Sequence, residues 1–166
     1  LFRSDMEGVE EKGLPLVPVS INLSKYDFEL CDMVEEITKR VKASKISPDL
    51  ITIEITESVS SLDSDFVSTQ INRFHNAGFK VWMDDFGSGY SSLNMLQNFD
   101  FDLIKFDMRF MREFEMSKKN HVILRELIQM ATKLGLDTVV EGVETIEQVK
   151  FLREIGCSKM QGYFFS

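Results

Sequence analysis

Six short runs rich in β-branched and aromatic residues recur along this 166-residue chain, and each carries a polar residue that a buried strand should not contain. The runs are Leu16 to Leu23, Leu50 to Thr56, Lys80 to Asp85, Phe101 to Asp107, Asp137 to Val143 and Met160 to Phe165. Segments with apolar residues at helical spacing lie between them. Leu30, Met33, Val34, Ile37 and Val41 form one face after a cap at Asp27, and Val67, Ile71 and Phe74 form a second, stopped by Gly78. Val122, Leu127, Met130 and Leu134 form a third between Asn120 and Gly135. Val149, Leu152 and Ile155 form a fourth, opened by a Thr145-x-x-Gln148 capping box and closed by Gly156. A shorter helix is expected after Gly89 through Leu93 and Leu96, the end of another over residues 1 to 12, and a solvated loop or helix end over Arg112 to Asn120. Strand and helix alternate without a hairpin signal, so the fold class is α/β, built from parallel βα units. With no Pro/Gly/Ser-rich linker, residues 1–166 read as part of one domain.

The polar residues are Asn22, Glu54, the pair Asp84 and Asp85, Lys105, Glu141 and Gln161, at intervals of 32, 30, 21, 36 and 20 residues. Each interval is one βα unit. A polar group recurring at the same point of successive units is what a barrel produces when the C-terminal ends of its strands converge on one mouth. A carboxylate after a single strand is equally well explained as a cap for the next helix. Six consecutive strands are not, because a cap does not need to sit on the strand itself.

Composition adds what the ring requires. Asp and Glu number 27 against 19 Lys and Arg, a formal net charge of −8, so the chain repels phosphodiester backbones and a nucleic acid polymer is not expected as partner. An anionic ligand must be brought in by cations. Four carboxylates at one mouth raise one another's pKa unless a cation sits among them. All-oxygen ligands, carboxylates plus an Asn carbonyl, suit Mg²⁺ or Mn²⁺ and argue against zinc held by His or Cys. Adjacent Asp84 and Asp85 can serve two ions, a pair that polarises a phosphoryl group and acidifies a bound water. Lys105 would hold that water or the developing negative charge.

Other features carry less. Cys31 and Cys157 stand far apart and read as buried apolar thiols in a reducing, cytoplasmic setting. No run approaches 18 apolar residues, so no membrane segment is expected. His75 and His121 read as surface residues, and Trp82 as core packing on the strand face opposite the acids. Gly87 and Gly89, in the loop from Asp85 to Ser92, point to a lid or coupling element. Its Asp-Phe-Gly also occurs in protein kinases, but no Gly-rich phosphate loop or His-Arg-Asp segment accompanies it.

Six motifs then occur together: Ser20-Ile-Asn-Leu-Ser24, Glu54-Ile-Thr-Glu57, Asp84-Asp-Phe-Gly-Ser-Gly-Tyr-Ser-Ser-Leu93, Asp102-Leu-Ile-Lys-Phe-Asp107, Glu141-Gly-Val-Glu144-Thr and Gln161-Gly-Tyr. In order and spacing this set resembles the EAL domain family, whose active members are bacterial phosphodiesterases that hydrolyse cyclic di-GMP to linear pGpG on a TIM-like (β/α)8 barrel. The resemblance implies that Asn22, Glu54 and Asp84 bind one metal and that Asp84 with Asp85 serves a second. It implies that Lys105 positions the nucleophilic water, that Glu141 acts on it, and that Gln161 and Asp107 meet the substrate. Glu57 matches the residue that anchors the loop after Asp85, and Glu144 a supporting acid. It implies a homodimer through that loop and adjacent helices, with a sensor or GGDEF domain in the parent chain. Ser88 stands where Thr is common, which keeps the hydroxyl.

The departure is at the start. No Glu-Ala-Leu occurs, and about six strands are visible where the barrel has eight, so the N-terminal strands and signature glutamate are expected to be missing and the chain alone to be weakly active or inactive. A non-catalytic cyclic di-GMP receptor, as in degenerate members of the family, is the alternative.

Overall fold

The computed structural model describes residues 17–89, 92–114 and 117–165; the expected helix over residues 1 to 12 lies outside them. Six parallel strands form one sheet in chain order: β1 (Val19–Leu23), β2 (Ile51–Ile55), β3 (Lys80–Phe86), β4 (Leu103–Phe106), β5 (Asp137–Val140) and β6 (Lys159–Met160). Helices α1 (Lys25–Leu30) and α2 (Met33–Ser44) follow β1, α3 (Ser64–Asn76) follows β2, and α4 (Ser92–Asn98) follows β3. Beyond β4 come α5 (Arg109–Arg112) and α6 (Lys118–Lys133), and α7 (Ile146–Glu154) follows β5. Among the described residues β1 and β6 each pair on one side only, so the sheet is not closed.

Period-two alternation divides every strand between two environments. Ile51, Ile53, Ile55, Val81, Met83, Ile104, Phe106 and Val140 are fully buried in one core with the inner helix faces, among them Ile37, Ile71, Phe74, Ile128 and Leu152. Each such side chain contributes about 1.5–3 kcal/mol on leaving water. The other face carries the chemistry. In register, Asn22 stands beside Glu54, Glu54 beside Trp82, Trp82 beside Leu103, and Lys105 beside Val139.

Trp82 therefore shares the face of Glu54, not the helix-packed side expected from its neighbours in sequence. Its ring lies 5.6 Å from the Lys159 ammonium, which also pairs with Asp137 at 2.9 Å.

Several helical expectations shift. The first is broken in two: Ser24 caps α1, with Asp27 as its third residue accepting from Ser24 N and Oγ at 2.8 and 2.7 Å. Asp32 then restarts the chain as the cap of α2, accepting from Glu35 N at 3.0 Å, and Leu30 is left exposed at the break. On α6 two apolar stripes compete. Packing buries Leu124, Ile128 and Ala131 at i, i+4 and i+7, and leaves Val122 and Leu134 in solvent. The Thr145–Gln148 capping box is formed as read.

Arg112, at the start of the stretch expected as a solvated loop or helix end, is the exposed last residue of the short helix α5. The last strand is two residues long. Val143 N donates to Gln161 O and Phe164 N to Val143 O, so the chain curls over the end of β5 into a 3₁₀ turn, Tyr163–Phe165. Neither histidine is a free surface residue: His75 pairs with Asp102 at 3.0 Å, and His121 lies between the rings of Phe114 and Phe151. Cys31 is exposed, whereas burial pushes the Cys157 thiol up. Among the described residues no helix is long and apolar enough to cross a membrane.

Candidate active site

Four of the expected residues meet around one nitrogen. Lys105 Nζ lies 2.9 Å from Glu54 Oε2, 2.9 Å from Asp84 Oδ1 and 3.1 Å from Glu141 Oε1. These groups come from β2, β3, β4 and the residue just past β5, all at the C-terminal ends of parallel strands. Glu54, Asp84 and Lys105 are buried. Burial alone would drive the lysine toward neutrality, but its hydrogen bonds to Asp84 and Glu54 outweigh that and hold its pKa above the ordinary value. The ammonium is cationic at any physiological pH.

The paired acids are kept together by a device the sequence did not announce. Successive strand residues point to opposite faces, so Asp85 should turn away from Asp84. A register shift between Met83 and Phe86 and a left-handed Asp85 (φ 56°) prevent this. Asp85 N donates to Asp84 Oδ1 at 3.0 Å. Burial, then the charges of Asp84 and Asp107, push the Asp85 carboxyl up, which places it in the field of the mouth.

The following loop is pinned where it is described. Ser92 Oγ donates to Glu57 Oε1 at 2.6 Å and accepts from Gly87 N at 3.1 Å. Gly89 backs directly onto the Glu57 carboxylate. Gly87 is left-handed (φ 90°), and a β-carbon there would stand 2.6 Å from the Phe110 ring of α5. Just before α5, Gly142 (φ 74°) admits Met108 in the same way, its own β-carbon position lying 2.7 Å from Met108 Cβ. Helix α5 is thus wedged between the loops after β3 and β5, at the rim of the mouth. Neither it nor Ser92 as a bridge was legible from periodicity, since one helical turn is too short to show a period.

The remaining expected residues stand farther out. Asn22 is exposed on β1, level with Glu54 in the register but outside the Lys105 cluster. Gln161 is exposed beyond β6, held by its backbone to Val140 and Val143, and Glu144 is exposed with its N donating to Gln148 Oε1. Gln161, Glu141 and Glu144 line one cavity of about 470 Å³ with Met108, Met111 and Tyr163. Asp107 Oδ1 accepts from Arg109 N at 2.7 Å and Arg109 Nε at 2.9 Å.

Among the described residues no three His, Cys, Asp or Glu side chains are spaced as a metal cage. The Lys105 ammonium occupies the point on which three carboxylates converge. In donor chemistry the residues fit a hard divalent cation: every candidate ligand is an oxygen, and the carboxylates already gather about positive charge.

The EAL domain family model matches residues 3–166. A cyclic di-GMP phosphodiesterase of Pseudomonas aeruginosa, NbdA, is 32% identical over 162 residues, covering 98% of this chain and 21% of its own. The EAL domain of Mycobacterium smegmatis DcpA superposes with a TM-score of 0.84 at 34% identity, over 90% of this chain and 67% of that one. BlrP1 of Klebsiella pneumoniae, solved as a complex with manganese and cyclic di-GMP, superposes with a TM-score of 0.83 at 30% identity, over 94% and 40%. The chain spans about a fifth of the length of the curated relatives it matches. The likeness to these solved EAL domains gives the open sheet the architecture of a TIM-like barrel. The chain belongs to the EAL domain family.

Proposed function

We propose that this domain hydrolyses cyclic di-GMP to the linear dinucleotide pGpG with a divalent metal, Mg²⁺ or Mn²⁺, in a site formed by two ions. The observation that carries the reading is the convergence of Glu54, Asp84 and Glu141 on Lys105 at one end of the sheet. Water adds across one P–O bond: its hydroxyl joins phosphorus and its proton ends on the departing ribose oxygen.

Asn22, Glu54, Asp84 and Asp85 would hold the ions. When bound, they neutralise phosphoryl charge and acidify water. Lys105 is fixed as a cation, so it orients water and balances negative charge but does not act as a base. Glu141, less enclosed than Glu54 and Asp84, is the carboxylate placed to take the water's proton. The cavity beside Glu141, lined by Gln161 and Tyr163, has the size for a base of the substrate. Glu57 holds the loop over Gly87 and Gly89 against the mouth, and Glu144 frames the opposite rim.

A barrel of this family is completed by two more strands. In this reading they lie between β6 and β1, come from outside the described residues and bring the signature glutamate. A homodimer would form through the loop after Asp85, beside which Leu93 is 57% exposed.

The test is the full-length protein with cyclic di-GMP and Mg²⁺ or Mn²⁺, the product read by chromatography and mass. Linear dinucleotide is expected, abolished in Lys105→Ala and Glu141→Gln. Tight, metal-independent binding without product would make the domain a receptor, and neither binding nor turnover would reject the reading.

A further inference from the structure

We infer that Arg109 is a phosphate-binding residue of this mouth, oriented by Asp107, and that it engages the phosphodiester that is not cut. The inference rests on the proposed reading of the substrate as a cyclic dinucleotide. Such a ligand carries two phosphodiester charges. The carboxylate cluster and its cations can compensate only the one under attack, and the rest of the rim, with Asp107, Glu57 and Glu144, repels the other.

Arg109 is the answer the structure supplies. Asp107 Oδ1 accepts from both its backbone N and its Nε, so one carboxylate oxygen fixes the start of α5 and the plane of the guanidinium together. The side-chain contact uses only Nε, on the inner edge of the guanidinium. Among the described residues Nη1 and Nη2 make no hydrogen bond or ion pair, and the side chain is 51% exposed. The charges that act on it, after Asp107, are Asp85 and Glu57, which places the guanidinium on the rim of the carboxylate site. Phe110 against Gly87 and Met108 against Gly142 hold the helix that carries it in place.

A planar fork with two free donors matches a phosphate in a way a lysine ammonium does not. Because the fork is already oriented, little rotamer freedom is lost on binding. Asp107 touches the arginine and acts as a positioning residue.

The experiment is steady-state kinetics on the full-length protein with cyclic di-GMP and Mn²⁺. Arg109→Gln is expected to raise KM about tenfold, the loss of one charge-assisted pair, with kcat within about twofold. Arg109→Lys should recover part of that, and Asp107→Asn should raise KM about threefold with the arginine still present. Melting temperatures of the three variants should match that of the wild type. An unchanged KM in Arg109→Gln, or a fall in kcat alone, overturns the assignment while leaving the phosphodiesterase reading intact. A wild type that neither binds nor cleaves the dinucleotide overturns both.

Discussion

Replacing Lys105 with Met tests the electrostatic logic of the site. Each of its contacts, at 2.9 to 3.1 Å, carries about 5 kcal/mol of attraction at an effective dielectric of about 20. Desolvating the ammonium and holding three anions together return most of that. What remains is the cost of removing one partner from a buried pair, about 3–5 kcal/mol. The side chain keeps 11% of its exposure and Glu141 keeps 18%, so the lower end, about 3 kcal/mol, is expected. For a domain of this size that is a fall in melting temperature of about 6–12 °C at pH 7.

The pH dependence gives the sharper signature. In the wild type the lysine pKa is raised on folding from 10.5, so its contribution is fully present below the unfolded pKa and is lost as pH rises through the folded one. At pH 7 the whole effect is therefore available to lose. In the variant three carboxylates face one another with no cation between them, and added positive charge, whether protons or metal ions, relieves that repulsion. The deficit should then shrink by about half between pH 7 and pH 5, and millimolar Mn²⁺ should restore part of it. Differential scanning calorimetry across that range reads both. A variant whose loss is the same at pH 5 and pH 7, with and without Mn²⁺, would show that Lys105 acts through packing and not through charge.

Three further predictions concern the scaffold. Asp102 joins the start of β3 to α3, accepting from Val81 N at 2.8 Å and pairing with Lys80 and His75. Burial opposes these contacts but they prevail and lower its pKa, so its stabilisation is present above about pH 4 and lost as pH falls through the folded value. After discounting for solvent screening, Asp102→Asn should cost about 1 kcal/mol at pH 7 and nothing near pH 2 in urea titrations. Ser92→Ala should remove the bridge between Glu57 and Gly87 and cost about 1–3 kcal/mol locally, read as faster amide exchange at Gly87 with the strands unaffected. Thr38 Oγ1 is buried without a partner among the described residues, so Thr38→Val should leave stability unchanged or raise it by up to about 1 kcal/mol in the same titrations.

The strands were legible because their β-branched runs are separated by helices with clear caps, and a period is a local property. The ring of polar residues was legible for the same reason, since one βα unit fixes the spacing of strand ends whatever the packing. Helix faces were less secure. On α6 the sequence offers two apolar stripes, and only packing of the helix against β5 selects Leu124 over Val122. At Leu30 the broken helix depended on Asp32 outcompeting a continuous turn as a cap.

What the sequence determined by itself is the α/β order, the parallel sheet and the set of strand-borne groups, because these follow from periodicity and from charge placed on strands. What only the tertiary structure decided is how those groups face one another. Asp85 joins Asp84 through a left-handed bulge, Trp82 shares the face of the acids, and three carboxylates meet on one ammonium. Each depends on residues from different strands arriving at one point. No spacing within a single segment encodes that distance.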